Sequence, residues 1–111
     1  MILEVAILDI KPDLASEFET AFKKASGIIS TLPGYISHEL QCCIETENRY
    51  ILLVRWQTLE DHTIGFRQSP QYQEWRSLLH HFYDPFPVVE HYETVVQNNN
   101  RMASNTHHPE V

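Results

Sequence analysis

Histidine is the side chain of this sequence best suited to acid–base chemistry near neutral pH, and seven histidines occur in 111 residues. Five lie in the segments predicted below to fold: His38, His62, His80, His81 and His91. Their spacing fits no zinc motif, and the two cysteines are adjacent rather than separated as Cys-x-x-Cys. We therefore predict no metal site. His80 and His81 end a predicted helix, where the helix dipole favours cations.

His62 lies in the most distinctive segment, between two tryptophans. Aromatic residues occur at four positions of this segment: Trp56, Phe66, Tyr72 and Trp75. In one interpretation they are core residues, and His62 and Arg67 are surface or capping groups. In the other they form an aromatic pocket in which His62, Arg67 and His91 converge on a small planar ligand. The pattern alone leaves both interpretations open.

The first half of the chain predicts a strand, a helix and a hairpin. Residues 2–10 are aliphatic except for Glu4 and Asp9 and predict a strand. Pro12 ends this strand, and Asp13 is the predicted N-cap of a helix. Apolar residues then recur at helical spacing, and the pattern stops at Leu32-Pro33-Gly34: Leu14, Phe18, Ala21, Phe22, Ala25 and Ile28. Two further strand patterns, Tyr35–Glu45 and Arg49–Trp56, flank a polar turn and predict a hairpin.

The second half predicts a broken helical region and a last strand. Thr58, with Asp61 three residues later, resembles a capping box and predicts a short helix over 59–65. Ser69-Pro70 is a favoured helix start. The inward side of that helix is predicted to carry five residues: Tyr72, Trp75, Leu78, Leu79 and Phe82. Residues 88–96 are predicted to form a strand.

The resulting order, β-α-β-β-α-β, predicts an α+β, ferredoxin-like fold with a four-stranded antiparallel sheet. Helices then cover only one face of the sheet. Residues 5–8 and 51–54 are apolar at every position, so each strand directs apolar side chains to both faces of the sheet. We therefore expect both faces to be covered. The simplest cover for the open face is a second copy of the chain, which gives a twofold homodimer.

Composition excludes several classes of protein. A formal net charge of −7, without a basic cluster, argues against nucleic acid and anionic membranes as partners. There is no run of 18 apolar residues, and the first strand lacks the features of a signal peptide. Because Cys42 and Cys43 are adjacent in a predicted strand, they should not bridge, and we expect a reduced, cytoplasmic protein.

The chain is predicted to form one domain, residues 1–96, followed by a flexible polar tail, 97–111. The tail contains few apolar side chains that folding could bury. His107 and His108 lie in it, and we interpret them as solvated rather than as metal ligands.

Several short motifs together resemble the antibiotic biosynthesis monooxygenase family over residues 2 to about 96. They are Val54-Arg55-Trp56, His62, Phe66-Arg67-Gln68-Ser69-Pro70, Trp75, Asp84-Pro85 and Glu90-His91-Tyr92. The resemblance implies a dimeric α+β barrel. It also implies oxidation of a phenolic or quinol substrate by molecular oxygen, without a metal, flavin or other cofactor.

The resemblance implies that a phenol is bound as its phenolate. Ionising a phenol of pKa near 10 at pH 7 requires roughly 4 kcal/mol of stabilisation, which one cation and one histidine in a dry pocket can supply. Arg67 is the expected cation, and His62 or His91 the expected base. The expected walls are Trp56, Phe66, Tyr72, Trp75 and Phe82.

Two departures from the family keep other functions open. The Asn, Trp and Arg that characterised polyketide oxidases use do not map clearly onto this chain. The haem-degrading relatives use an Asn in the first strand, which is absent here, and an axial His where this chain has Arg76. A non-catalytic module that binds a small ligand is the main alternative, and a haem protein is a weaker one.

Overall fold

Four antiparallel strands form one sheet in the computed structural model, which describes residues 1–100. In the order β2-β3-β1-β4, the sheet contains β1 (Ile2–Asp9), β2 (Tyr35–Cys42), β3 (Arg49–Trp56) and β4 (Val89–Tyr92). Helices α1 (Ala15–Ile29) and α2 (Pro70–Leu79) pack on one face. A π-helix (Asp61–Phe66) precedes α2 and a 3-10 turn (His80–Phe82) follows it. The α+β, ferredoxin-like prediction is therefore confirmed, with its second helical region broken in two.

Helix α1 anchors the core through one apolar side. Its buried residues are Phe18, Phe22, Ala25 and Ile29, so Ile29 rather than the predicted Ile28 ends the buried stripe. The predicted Asp13 cap is wrong: Asp13 has a positive φ of 66°, and Leu14 occupies the cap position without a side-chain hydrogen bond. Asp13 instead belongs to the tight turn that Leu14 N closes on Lys11 O at 3.2 Å.

Both predicted caps in the second half are confirmed. Thr58 N donates to Asp61 Oδ2 at 3.0 Å, and Asp61 N donates to Thr58 Oγ1 at 3.2 Å. Ser69 accepts a hydrogen bond from Tyr72 N, with Pro70 as the first residue of α2. The capping box precedes residues 59–60, whose helical backbone leads into the π-helix, and the Ser69 cap directly precedes α2.

Two strands are shorter than predicted. β2 ends at Cys42 rather than Glu45, since the chain turns back through residues 43–48, where Asn48 has a φ of 62°. β4 ends at Tyr92 rather than Val96. Tyr92 forms the last pair of the β1–β4 ladder, with Leu3, and residues 93–96 lie exposed outside the sheet, where they bury no side chain.

The two faces of the sheet differ in burial. On the inner face, under the helices, every second residue of β3 is buried: Tyr50, Leu52, Val54 and Trp56. The outer face, defined by Leu3, Val5, Ile7, Ile51 and Leu53, is half-buried or exposed in the single chain. Closure of a barrel over the outer face by a second copy stays a prediction.

Residues 97–100, the described part of the predicted tail, have no regular structure. Residues 101–111, including His107 and His108, lie outside the described residues. No helix within residues 1–100 is long and apolar enough to cross a bilayer.

Candidate active site

A cavity of about 270 Å³ lies between the inner sheet face and the helical segments. Its polar side chains are Glu4, His62, Arg67, Tyr72, His80 and Tyr83. Its apolar walls include Ala6, Leu8, Leu52, Phe66, Trp75 and Phe86. Apolar walls with a few convergent polar groups are typical of small-ligand sites.

Glu4 is the one carboxylate in this wall. It lies on the inner face of β1 with 4% of its surface exposed. Trp56 Nε1 donates a hydrogen bond to Glu4 Oε1 at 2.9 Å, and His62 Nε2 lies 3.4 Å from the same oxygen. Burial raises the pKa of Glu4 to about 7, although the Trp56 hydrogen bond and the positive charge of Arg67 oppose the rise. Glu4 can therefore exchange a proton near neutral pH.

His62 connects Glu4 to a second histidine. Its ring is 3% exposed and stacks on Trp56 with centroids 5.6 Å apart. His62 Nδ1 is 2.8 Å from Nε2 of the half-buried His91. Burial, together with Arg67 and His91, lowers the pKa of His62 to about 3. His62 is therefore neutral at pH 7, with one nitrogen toward Glu4 and the other toward His91.

The π-helix that carries His62 packs against Gly34, the residue directly before β2. Gly34 has a positive φ of 81°, and its carbonyl accepts a hydrogen bond from Gln57 N at 2.8 Å. A Cβ at Gly34 would lie 2.1 Å from Cγ of Asp61, the residue that closes the capping box with Thr58. The absence of a side chain at Gly34 thus lets the π-helix approach the sheet. Short π-helical segments often occur at functional sites.

Arg67 supplies the positive charge of the site. It directly follows the π-helix, and its backbone N donates to His62 O at 3.2 Å. The side chain lines the cavity while the residue remains exposed to solvent. Its charge lowers the pKa of Glu4, His62 and His91, so it reaches all three groups electrostatically.

Most of the site residues predicted from the sequence meet at this cavity. The predicted residues that line the cavity are His62, Phe66, Arg67, Tyr72 and Trp75. His91 contacts the cavity residue His62 through the hydrogen bond between their ring nitrogens. Two predicted wall residues lie elsewhere. Trp56 is fully buried beneath His62, and Phe82 packs against Phe18 with centroids 5.7 Å apart. Both interpretations of the segment are thus partly realised, since it supplies both core and cavity.

Sequence reasoning missed Glu4, Tyr83 and His80. Glu4 lies two and four residues before the buried Ala6 and Leu8, so the two-residue period of a strand predicts that it lies on the same face. His80 lies over the cavity, with its ring 5.0 Å from Phe86. Burial, assisted by Arg76, lowers its pKa, which opposes the positive charge that the helix dipole favours at this position. Burial also raises the pKa of the Tyr83 hydroxyl, which keeps it protonated.

Within residues 1–100, no three His, Cys, Asp or Glu side chains are grouped so that they could hold a metal ion. Among the polar side chains of the cavity, Glu4 and His62 form a pair that can exchange a proton, and Arg67 places a positive charge beside them.

Comparison with known proteins identifies the family. The sequence profile of the antibiotic biosynthesis monooxygenase family matches residues 1–78. The chain belongs to this family. Its similarity to YczJ, an uncharacterized protein of Bacillus subtilis strain 168, is 57% identity over 95 residues, which is 86% of this chain and all of YczJ.

Solved structures of antibiotic biosynthesis monooxygenases share the fold. A Bordetella bronchiseptica protein, provisionally named as a member, is 33% identical with a TM-score of 0.82, over 86% of this chain and 97% of its own. SnoaB, a cofactor-independent oxygenase from Streptomyces nogalater, is 18% identical with a TM-score of 0.69, over 87% and 94% of the two chains. At that identity, the likeness to SnoaB shows the fold alone.

Proposed function

We propose that this family member is a monooxygenase that oxidises a small phenol or quinol with O₂, and that Glu4 removes the phenolic proton. The observation that carries the proposal is the chain from the buried Glu4 through the buried His62 to the half-buried His91, in the wall of a cavity with aromatic and aliphatic sides. A general base is most effective when its pKa is close to the working pH, and the pKa of Glu4 is about 7.

The proposed reaction is balanced for a phenol with an unsubstituted para carbon. Glu4 takes the hydroxyl proton, and the phenolate transfers an electron to O₂. The phenoxyl radical and superoxide formed in this way combine, and a carbon–oxygen bond forms at the para carbon. Loss of the ring hydrogen and cleavage of the O–O bond give the quinone and water. One oxygen atom of O₂ enters the product, the other leaves as water, and no prosthetic group takes part.

His62 and His91 are proposed to carry the proton away from Glu4. Because His62 is neutral, it can accept a proton on one nitrogen while it releases one from the other. Its two nitrogens lie 3.4 Å from Glu4 Oε1 and 2.8 Å from His91 Nε2. His91 is half-buried, which gives this path a contact with solvent.

The cavity and its cation support a small aromatic substrate. Its volume of about 270 Å³ is at the low end of ligand pockets, which favours one or two rings. Phe66, Tyr72 and Trp75 supply aromatic surface, and the Arg67 cation favours a bound phenolate over the neutral phenol. Tyr83, held protonated, is a hydrogen-bond donor for the phenolate oxygen.

Oxygen consumption tests the proposal. The purified protein, stripped of metals and flavins, is incubated in an oxygen electrode with phenols, 1-naphthols and catechols that carry a hydrogen on a para carbon. We expect uptake with at least one of them, and Glu4→Gln should lower kcat about a hundredfold or more. Glu17→Gln, an exposed carboxylate on α1, is the matched control. A ligand that binds tightly to the cavity without oxygen uptake would favour the binding-module alternative instead.

We also propose that the protein works as a twofold homodimer joined through the outer face. Val5 and Ile7 pair with Leu53 and Ile51 on this face, Ile7 is 44% exposed in the single chain, and a contiguous exposed apolar patch is typical of a contact surface. A cytoplasmic location stays an expectation from the sequence.

A further inference from the structure

A second cluster of chemically capable side chains lies beside β2, apart from the cavity. Ser26 of α1 and His38 of β2 are both half-buried, and Ser26 Oγ is 2.8 Å from His38 Nε2. The other ring nitrogen, Nδ1, forms a hydrogen bond with the Tyr35 hydroxyl. Serine, histidine and tyrosine thus form one continuous chain of hydrogen bonds.

The strand register explains why these groups meet. His38 pairs with Val54, so its side chain lies on the inner face, under α1. Its ring contacts Phe22, one turn before Ser26 on the same helix, with centroids 6.0 Å apart. Tyr35, three residues before His38 in the chain, packs against the same ring at 5.6 Å.

This arrangement has the parts of an activated nucleophile. A serine hydroxyl becomes nucleophilic when a neighbouring base accepts its proton and a third group orients that base. Burial lowers the pKa of His38, so the ring is neutral at pH 7 and can accept a proton. In the tautomer whose ring hydrogen is on Nδ1 and is donated to the Tyr35 hydroxyl, His38 presents the Nε2 lone pair to Ser26.

A groove of about 350 Å³ opens beside Ser26 and His38 and shares no lining residue with the Glu4 cavity. Phe22 and Leu40 give it apolar walls, and Lys23 lies along it as a cation. Glu19 and Glu39 also line it, so anionic ligands are disfavoured. The groove therefore suits a small neutral molecule with an apolar part.

We propose that Ser26 and His38 form a second reactive site, which takes an acyl group from a small neutral ester. Ser26 Oγ attacks the ester carbonyl carbon and its proton passes to His38 Nε2. The bond from the carbonyl carbon to the alcohol oxygen breaks, and the alcohol leaves with that proton. Water, deprotonated by His38, then attacks acyl-Ser26, which releases the carboxylic acid and restores the hydroxyl. Tyr35 is a positioning residue for His38.

The test uses the full chain and p-nitrophenyl acetate, with release of nitrophenolate followed by absorbance and the acetylated residue located by peptide mass spectrometry. We expect acetylation of Ser26. Ser26→Ala and His38→Gln should each lower the release rate about a hundredfold. Ser16→Ala, an exposed serine on the same helix, is the control and should match the wild type.

Tyr35→Phe separates positioning from folding. It should lower kcat severalfold while KM and the circular dichroism spectrum stay unchanged. The proposal is overturned if Ser26→Ala, folded by the same spectrum, releases nitrophenolate at the wild-type rate, or if acetate is found on Lys23 and not on Ser26. Because the assay consumes no oxygen, its result is independent of the proposed oxygenation.

Discussion

The inner and outer faces of the same sheet have different chemistry, although both are rich in aliphatic residues. On the inner face, the strand position occupied by Glu4 is sealed under helices, so a carboxylate there has a pKa near neutrality. On the outer face, Leu3, Val5 and Ile7 of the same strand are left half-covered or exposed. One face thus creates a reactive group by removing water, and the other offers apolar surface to a partner.

The largest expected effect is on the outer face. Leu53→Asp places a carboxylate in the proposed contact of both copies, and burying unpaired charge costs several kcal/mol. We expect the dimer to weaken at least about a thousandfold, as measured by size-exclusion chromatography with light scattering across a concentration series. Ser16→Asp, on the exposed side of α1, should leave the mass unchanged. A monomeric wild type at micromolar concentration would contradict the dimer.

The next effect is the dependence of folding stability on pH, which tests the inner face. The pKa of Glu4 is about 7 in the folded chain and 4.5 for the ordinary side chain. As pH rises from 4.5 to 7, the unfolded chain ionises Glu4 and the folded chain does not, so this group lowers the free energy of unfolding by up to about 3 kcal/mol. Glu4→Gln has no carboxylate at this position and therefore does not lose this free energy. In urea titrations, the free energy of unfolding of Glu4→Gln minus that of the wild type should increase as pH rises from 4.5 to 7.

His62 acts in the opposite direction. Its pKa is lowered from 6.5 to about 3, so its contribution to stability is fully present above pH 6.5 and is lost as pH falls toward 3. Between pH 4.5 and 6.5 the two contributions oppose each other in the wild type. The Glu4→Gln variant should therefore expose a rising slope that the wild type lacks. Parallel curves for the two proteins would contradict a neutral, buried Glu4–His62 pair.

A third prediction concerns the cation and the neutral histidine of the cavity. Arg67→Ala and His62→Ala should each lower oxygenation by about a hundredfold, with the protein still folded and dimeric. Lys24→Ala, which removes an exposed cation on α1 away from the cavity, is the control. Loss of the fold in both cavity variants would show that the two residues are structural.

The smallest effect is expected at the contact that supports the π-helix. Gly34→Ala adds a side chain at a positive φ, where it also meets the Asp61 carboxylate. We expect the free energy of unfolding to fall by about 1–2 kcal/mol. The rate of oxygen uptake by the folded protein should also fall, because the displaced π-helix moves His62. Gly27→Ala is the control, since a Cβ at Gly27 meets nothing within 4 Å.

Local sequence signals predicted those parts of the fold that local physics decides. The Ser69-Pro70 start and the Thr58–Asp61 capping box depend on residues three apart or fewer, and both are present as predicted. The extent of β4 depends on its pairing with the distant strand β1, and the last pair of that ladder is Leu3 with Tyr92. For that reason the pattern over residues 88–96 overestimated the strand.

The candidate site was predictable only in part for the same reason. His62, Arg67 and the aromatic residues lie in one continuous segment, so their clustering was visible. Glu4 is 58 residues away from His62, and only the sheet register brings it beneath the π-helix. Trp56 and Phe82 look like pocket walls by composition, but Trp56 is covered by His62 and Phe82 packs against Phe18, so both lie in the core.

The most direct test of the central claim is the pH dependence of kcat/KM for oxygen uptake, measured on wild type and Glu4→Gln with a phenol identified in the panel. We predict that the wild-type value rises with pH to a plateau, with its midpoint near 7, because Glu4 must lose its proton to act as the base. The residual activity of Glu4→Gln should lack this step. An unchanged profile in the variant would contradict the assignment of Glu4 as the base.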